Sequence, residues 1–185
     1  GFDESHSLRP PLYIKRTFEI ASKHGPNLKL LYNQHGGMEK PMWERVKTTI
    51  GYLQKCGVRI DGVGWQAHVS AGWEKVPGNM QGLDRLIRWT HARGLEFHVT
   101  ENTVWMDDPA AGSQAAQAAT YRAIVSKLVD HSKGGIVVWN VWQLCDAHIQ
   151  RPQKKGTMFD DAFQAKSSYY AVQEVLRRYS TTDKK

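Results

Sequence analysis

The chain is 185 residues long, enough for one domain with a sizeable core, and its 41% hydrophobic and 23% charged residues match a globular protein with no apolar run long enough to span a bilayer. Its net charge of +7 invites a nucleic-acid reading, but the cations are scattered over helix faces and the pairs Lys154-Lys155 and Lys184-Lys185, without the interleaved aromatics of a nucleic-acid surface. Two cysteines, Cys56 and Cys145, are too few for a disulfide framework or a cysteine-built metal centre, and no bond between them is expected.

A helix is expected first, over about Leu12–Lys23. A strand-like run starts near Leu28 and ends in Asn33-Gln34-His35. The next helix, about Pro41–Cys56, carries Trp43, Val46, Ile50 and Leu53 at helical spacing and stops at Gly57. A second strand-like run starts near Gly62 and passes through Trp65-Gln66-Ala67-His68. The helix at about Met80–Ala92 carries Leu83, Leu86, Ile87 and Trp89 and ends before Gly94. A third run starts at Leu95 and passes through Thr100-Glu101-Asn102-Thr103. The helix at about Gln114–His131 follows Ser113, a good N-cap. A fourth run starts near Gly135, and the long polar segment 143–165 behind it is of the kind that carries function. The last helix, about Ser167–Arg178, presents Tyr170, Val172, Val175 and Leu176. The chain thus divides into a leading helix (1–27), four repeated strand–helix units (28–178) and a tail (179–185), an α/β pattern.

Glu101 stands out. Strict alternation places Phe97, Val99 and Glu101 on one face of the strand, with His98 and Thr100 on the other. An acid on an apolar face is costly unless it is partnered or used. In barrels of alternating strands and helices, catalytic groups sit at the C-terminal strand ends. The plainer alternative is an acid that meets solvent. Gln66 and His68 lie two apart and share a face, either as a polar pair capping the strand or as site residues.

The segments 28–35, 58–70, 95–106 and 134–142, with Met158-Phe-Asp-Asp161 and Ser168-Tyr-Tyr-Ala-Val172, resemble glycoside hydrolase family 10, the retaining β-1,4-xylanases, in both order and spacing. The resemblance runs from about Pro11 to Arg178 and covers only the C-terminal half of the family's domain. It implies a (β/α)8 barrel whose fifth to eighth strands are present and whose N-terminal half is absent. It also implies Glu101 as nucleophile, His68 as the donor that hydrogen-bonds to it, and Asn33, Gln66 and Trp139 as substrate-binding residues, with no metal or other cofactor. Trp139 stacks on sugar in that reading, or is a core tryptophan among Ile136, Val137 and Val138. Retaining glycosidases need two carboxyl groups about 5–5.5 Å apart. The family's acid/base segment, Trp-x-x-x-Asn-Glu, does not occur in this sequence, so the chain alone is expected to be inactive or weak.

Three departures from the family pattern bear on specificity. Asn-Asp-Tyr becomes Asn33-Gln34-His35, and Thr-Glu-Leu-Asp becomes Thr100-Glu101-Asn102-Thr103, so an acid is lost in each. The usual second stacking tryptophan gives way to Asp146-Ala147-His148 unless Trp142 substitutes for it. Three readings follow. The chain is the nucleophile-bearing half of an enzyme, a degenerate half barrel that holds β-glycan, or a self-associating fragment that rebuilds a barrel from two copies. Expected partners are a xylan-like β-1,4-linked polysaccharide, whose acidic side groups would suit the positive charge, and the N-terminal half or a second copy. No nucleic acid and no membrane is expected. Secretion follows from the resemblance alone. Gly1-Phe-Asp-Glu-Ser reads as an internal start, so the lack of a signal peptide there says little about location.

Overall fold

A computed structural model describes residues 1–4, 10–107 and 113–182. Among these lie four strands, β1 (Leu31–His35), β2 (Gly62–Ser70), β3 (Glu96–Trp105) and β4 (Val137–Trp139), and five helices, α1 (Leu12–His24), α2 (Lys40–Lys55), α3 (Asn79–His91), α4 (Ser113–His131) and α5 (Ser167–Thr182). The strands form one parallel sheet in the order β1-β2-β3-β4. Parallel neighbours require a crossover, and α2, α3 and α4 supply the three.

Two of these helices hand over to the next strand through the same turn. Gly57 and Gly94 adopt φ of 67° and 69°, the left-handed region that glycine enters without a Cβ penalty. After α2, the Gly57 and Val58 amides donate to the carbonyls of Gln54 and Leu53. After α3, the Gly94 and Leu95 amides donate to those of His91 and Thr90. This is the Schellman arrangement, which satisfies the last helical carbonyls and turns the chain back toward the sheet.

The core lies between the sheet and the helices. Val63, Trp65, Ala67 and Val69 of β2 and Phe97, Val99 and Val104 of β3 meet Val46, Ile50 and Leu53 of α2, Leu83, Leu86 and Ile87 of α3, and Tyr121, Ile124 and Leu128 of α4. The intervening residues Gln66, His68, Glu96, His98, Thr100 and Glu101 are half-buried and polar. One face of the sheet is therefore sealed by helices and the other carries the chemistry. Both cysteines are free, Cys56 at the surface and Cys145 buried. No described helix is long and apolar enough to cross a membrane.

Three boundaries differ from the sequence expectation. β1 starts at Leu31, not Leu28, because residues 26–30 are drawn onto Arg59 and Asp61. The Arg59 guanidinium donates to the carbonyls of Pro26 and Leu28, at 2.7 Å each, and the Leu30 amide donates to Asp61. Ser113 is the first residue of α4 rather than its cap. Residues 179–182 continue α5 instead of starting a tail, with Tyr179 held by the Ser132 hydroxyl at 3.0 Å; residues 183–185, including Lys184-Lys185, lie outside the described residues.

Candidate active site

The site is built on a break in the register between β2 and β3. Trp65 pairs with Val99, but the next residue of β2, Gln66, pairs with Glu101. Thr100 is an extra residue in β3, a bulge, and alternation resumes one residue out of phase. This overturns the face assignment made from strict alternation. Phe97 and Val99 point into the helix layer, fully buried, whereas Glu101 points to the opposite, polar face beside His68. The bulge is pinned by Thr100, whose hydroxyl donates to Asn33 Oδ1 at 2.8 Å. Asn33 thus meets the site through its contact with Thr100.

Glu101 Oε2 lies 2.9 Å from His68 Nε2, and His68 Nδ1 lies 3.1 Å from Thr103 Oγ1. Gln66 stands opposite Glu101 in the register and next but one to His68 on the same face. The exposed Trp142 indole meets the His68 ring edge-on, with centroids 5.9 Å apart, and its backbone amide donates to the Asn102 carbonyl. The four sequence candidates Glu101, His68, Gln66 and Trp142 therefore converge at the C-terminal ends of β2 and β3.

Trp139 stands apart from these four. It pairs with Val99 and so points to the helix side, where it lines a cavity with Met158 and with Tyr169, Val172 and Leu176 of α5. Its indole N–H donates to Asn102 Oδ1 at 2.9 Å, and Asn102 Nδ2 donates to the Ala67 carbonyl. Asn102 is buried, and two strands share its amide. The apolar neighbours of Trp139 were the sequence signal for this core position.

Thr103, read from sequence only as the loss of an acid, completes the chain from Glu101 through His68. Its hydroxyl can both donate and accept, a property that a family pattern looking for a carboxylate passes over. Thr103 is buried and packed under Gly156, where an added Cβ would come within 2.5 Å of Thr103 Cγ2 and 2.6 Å of the Trp105 ring. Gly156 is held in turn by the segment after β4. Asp146 Oδ1 accepts from the amide and hydroxyl of Thr157, and its Oδ2 pairs with Lys166 at 2.9 Å. Both partners are buried, and burial pushes the Lys166 amine below the usual lysine range against the pull of Asp146. The polar segment 143–165 is thus not loose but clamped by an ion pair that no local pattern announced.

Further along the same polar face, Lys29 binds Glu96 at 2.6 Å and His98 binds it at 3.0 Å. The hydrogen bond from Lys29, then that from His98, holds the Glu96 carboxyl below its usual range. That acid is neutralised where it stands. Glu101 instead faces a histidine and the open side of the sheet.

Residues 8–175 match the family model for Glycosyl hydrolase family 10. Endo-1,4-beta-xylanase A of Thermotoga neapolitana is 26% identical over 178 residues, covering 90% of this chain and 16% of the relative. Endo-1,4-beta-xylanase 5 of Pyricularia oryzae is 29% identical, covering 92% of this chain and 43% of the relative. Among solved structures, native xylanase 10B from Thermotoga maritima superposes with a TM-score of 0.81 at 24% identity, over 91% of this chain and 52% of that one. The Clostridium thermocellum xylanase 10B modules complexed with xylohexaose superpose with a TM-score of 0.77 at 25% identity, over 88% and 32%. The chain thus spans about half of the Thermotoga maritima structure and less of the curated relatives, and its four strand–helix units correspond to the C-terminal half of a (β/α)8 barrel.

Proposed function

Because this chain belongs to Glycosyl hydrolase family 10, we propose that it is the nucleophile-bearing half of a secreted, retaining endo-β-1,4-glycanase acting on xylan-like polysaccharide. The observation that carries the reading is the Glu101–His68 hydrogen bond at the C-terminal strand ends, with Trp142 beside it. In the first step Glu101 attacks the anomeric carbon, the glycosidic C–O bond breaks, and the leaving oxygen takes a proton from an acid/base carboxyl outside this chain. In the second step water, deprotonated by that same group, displaces Glu101 and restores it. His68 Nε2–H aims the carboxylate. Gln66 and Asn33 face the sugar or the groups that hold it, and Trp142 offers an indole surface for a pyranose ring. Trp139 supports the site from the helix side through Asn102. The partner is the N-terminal half of the barrel, or a second copy of this chain.

A second reading, a half barrel that binds β-glycan without cleaving it, draws on the single carboxylate in the Glu101–His68–Thr103 chain. An aryl β-xylobioside with a dinitrophenolate leaving group separates the two, because that leaving group departs without acid assistance. Release of dinitrophenolate that falls to background in Glu101→Gln is expected. Equal rates in the two proteins, with xylan retained on an affinity gel, would favour the binding reading.

A further inference from the structure

The hydroxyl of Thr103 is in an unusual position for a strand residue. It is 1% exposed, and its one hydrogen-bond partner among the described residues is His68 Nδ1 at 3.1 Å. The other ring nitrogen faces a carboxylate at 2.9 Å. We propose that Thr103 is a positioning residue for Glu101, donating its hydroxyl hydrogen to His68 Nδ1 and so fixing the neutral imidazole tautomer that presents Nε2–H to the carboxylate. The consequence for catalysis rests on Glu101 being the nucleophile; the tautomer itself does not.

Three proton arrangements are available to the ring, and the geometry separates them. With the proton on Nδ1, the ring would donate to Thr103 and turn a bare Nε2 lone pair toward the oxygens of Glu101, which as a carboxylate can only accept. With protons on both nitrogens, Thr103 would have to accept, and its own hydrogen would be left inside the protein facing no acceptor among the described residues. An unmade hydrogen bond on a buried donor costs about 1–3 kcal/mol. With the proton on Nε2 alone, every polar atom of the chain is used. Thr103 donates to Nδ1, and Nε2–H donates to Glu101. The hydroxyl contributes direction without adding a charge behind the ring.

The rotamer that this requires is enforced from outside the strand. Thr103 Cγ2 is packed against Gly156, whose carbonyl accepts from the Tyr121 hydroxyl at 2.8 Å and from the Val104 amide at 3.0 Å. The next residue, Thr157, is tied to Asp146 and through it to Lys166. A continuous run of contacts therefore leads from the buried ion pair through the glycine to the hydroxyl, the imidazole and the carboxylate. Outer partners of this kind commonly orient a histidine by holding the ring nitrogen that does not face the reactive group.

The test is a nitrogen-15 NMR spectrum of the imidazole rings of the 185-residue chain at mildly alkaline pH, with His68 assigned by its loss in His68→Gln. The expected pattern is a protonated Nε2 and an unprotonated Nδ1. Thr103→Val, which keeps the shape but removes the donor, is expected to shift both nitrogens toward a tautomer mixture, while Thr103→Ser retains the parent pattern. A parent protein with the proton on Nδ1, or on both nitrogens, overturns the proposal even if Thr103→Val fails to fold. So does a folded Thr103→Val variant with the parent pattern. In the dinitrophenyl xylobioside assay, Thr103→Val is expected to lower kcat tenfold or more with KM little changed, and Thr103→Ser to restore it. If Glu101→Gln leaves aryl release unchanged while the tautomer pattern holds, the functional reading fails and the positioning of the ring stands.

Discussion

Lys166→Met tests the clamp that supports the site. Lys166 Nζ donates to Asp146 Oδ2 at 2.9 Å and to the Lys155 carbonyl at 2.7 Å, and Asp146 is 1% exposed. Burial lowers the Lys166 pKa despite Asp146, so desolvation outweighs the attraction and the intact pair is not a large source of net stability. Breaking it is another matter, because the substitution strands a carboxylate that retains, among the described residues, the amide and hydroxyl of Thr157 as the partners of its side chain. Removing one partner of a buried pair costs about 3–5 kcal/mol, a large share of the roughly 5–15 kcal/mol that holds a domain folded. With a urea m-value of about 2 kcal/mol/M, the midpoint falls by about 1.5–2.5 M. Asp146→Asn strands the ammonium instead and costs a similar amount. The double variant strands neither charge, so its loss should be smaller than the sum of the two by about 2 kcal/mol or more. Urea unfolding followed by tryptophan fluorescence reads all three. A Lys166→Met midpoint within about 0.3 M of the parent, or a double variant whose loss equals the sum, would refute the reasoning.

Asp84 gives the pH-dependent counterpart. The hydrogen bond from Arg88, followed by that from His131 and the nearby Lys127 charge, holds its carboxyl well below the usual range against the opposing effect of burial. A folded pKa below the unfolded one means that the stabilisation is full above about pH 4 and is lost as pH falls toward the folded value. Asp84→Asn should therefore cost about 1 kcal/mol at neutral pH, allowing for solvent screening, and the gap should close on acid titration; a gap independent of pH would contradict the assignment. The two tryptophans should separate cleanly. Trp139→Ala should cost about 2–3 kcal/mol in thermal unfolding, because it empties space against α5 and leaves Asn102 Oδ1 without its donor. Trp142→Ala, at a side chain 47% exposed, should change stability by no more than about 0.5 kcal/mol while weakening xylo-oligosaccharide binding in calorimetry. The reverse pattern would put the sugar contact at Trp139 instead.

The helices were legible because each carries its own signal. Leu83, Leu86 and Ile87 recur at the helical period, and the glycines that stop α2 and α3 sit where the Schellman turn needs them. Glu101 and His68 were legible as candidates because the segments that carry them resemble the family in order and spacing. The phase of β3 was not, since a bulge depends on how two strands pair and Thr100 looks locally like any other residue of the run. Trp139 ends the fourth strand and Trp142 follows it, and the pairing of Trp139 with Val99, invisible in the sequence, decides which way its ring turns. Thr103 and the Asp146–Lys166 pair lay beyond sequence reading because their partners are 35 and 20 residues away.

The extra residue at Thr100 decides the side on which β3 presents every residue beyond it. Were Thr100 drawn into regular pairing opposite Gln66, the bulge would vanish and the side chains beyond it would exchange sides. The carboxylate would enter the layer occupied by Val63, Trp65 and Phe97, and the Asn102 amide would turn out to the open face. A charge placed there without a partner carries a heavy desolvation penalty. Reading frame along this strand and chemistry at its tip are therefore one property. Loss of Thr100 would leave Glu101 next to Val99 and still opposite Gln66, so it is the regular pairing of Thr100, not its absence, that would carry the carboxylate to the wrong side.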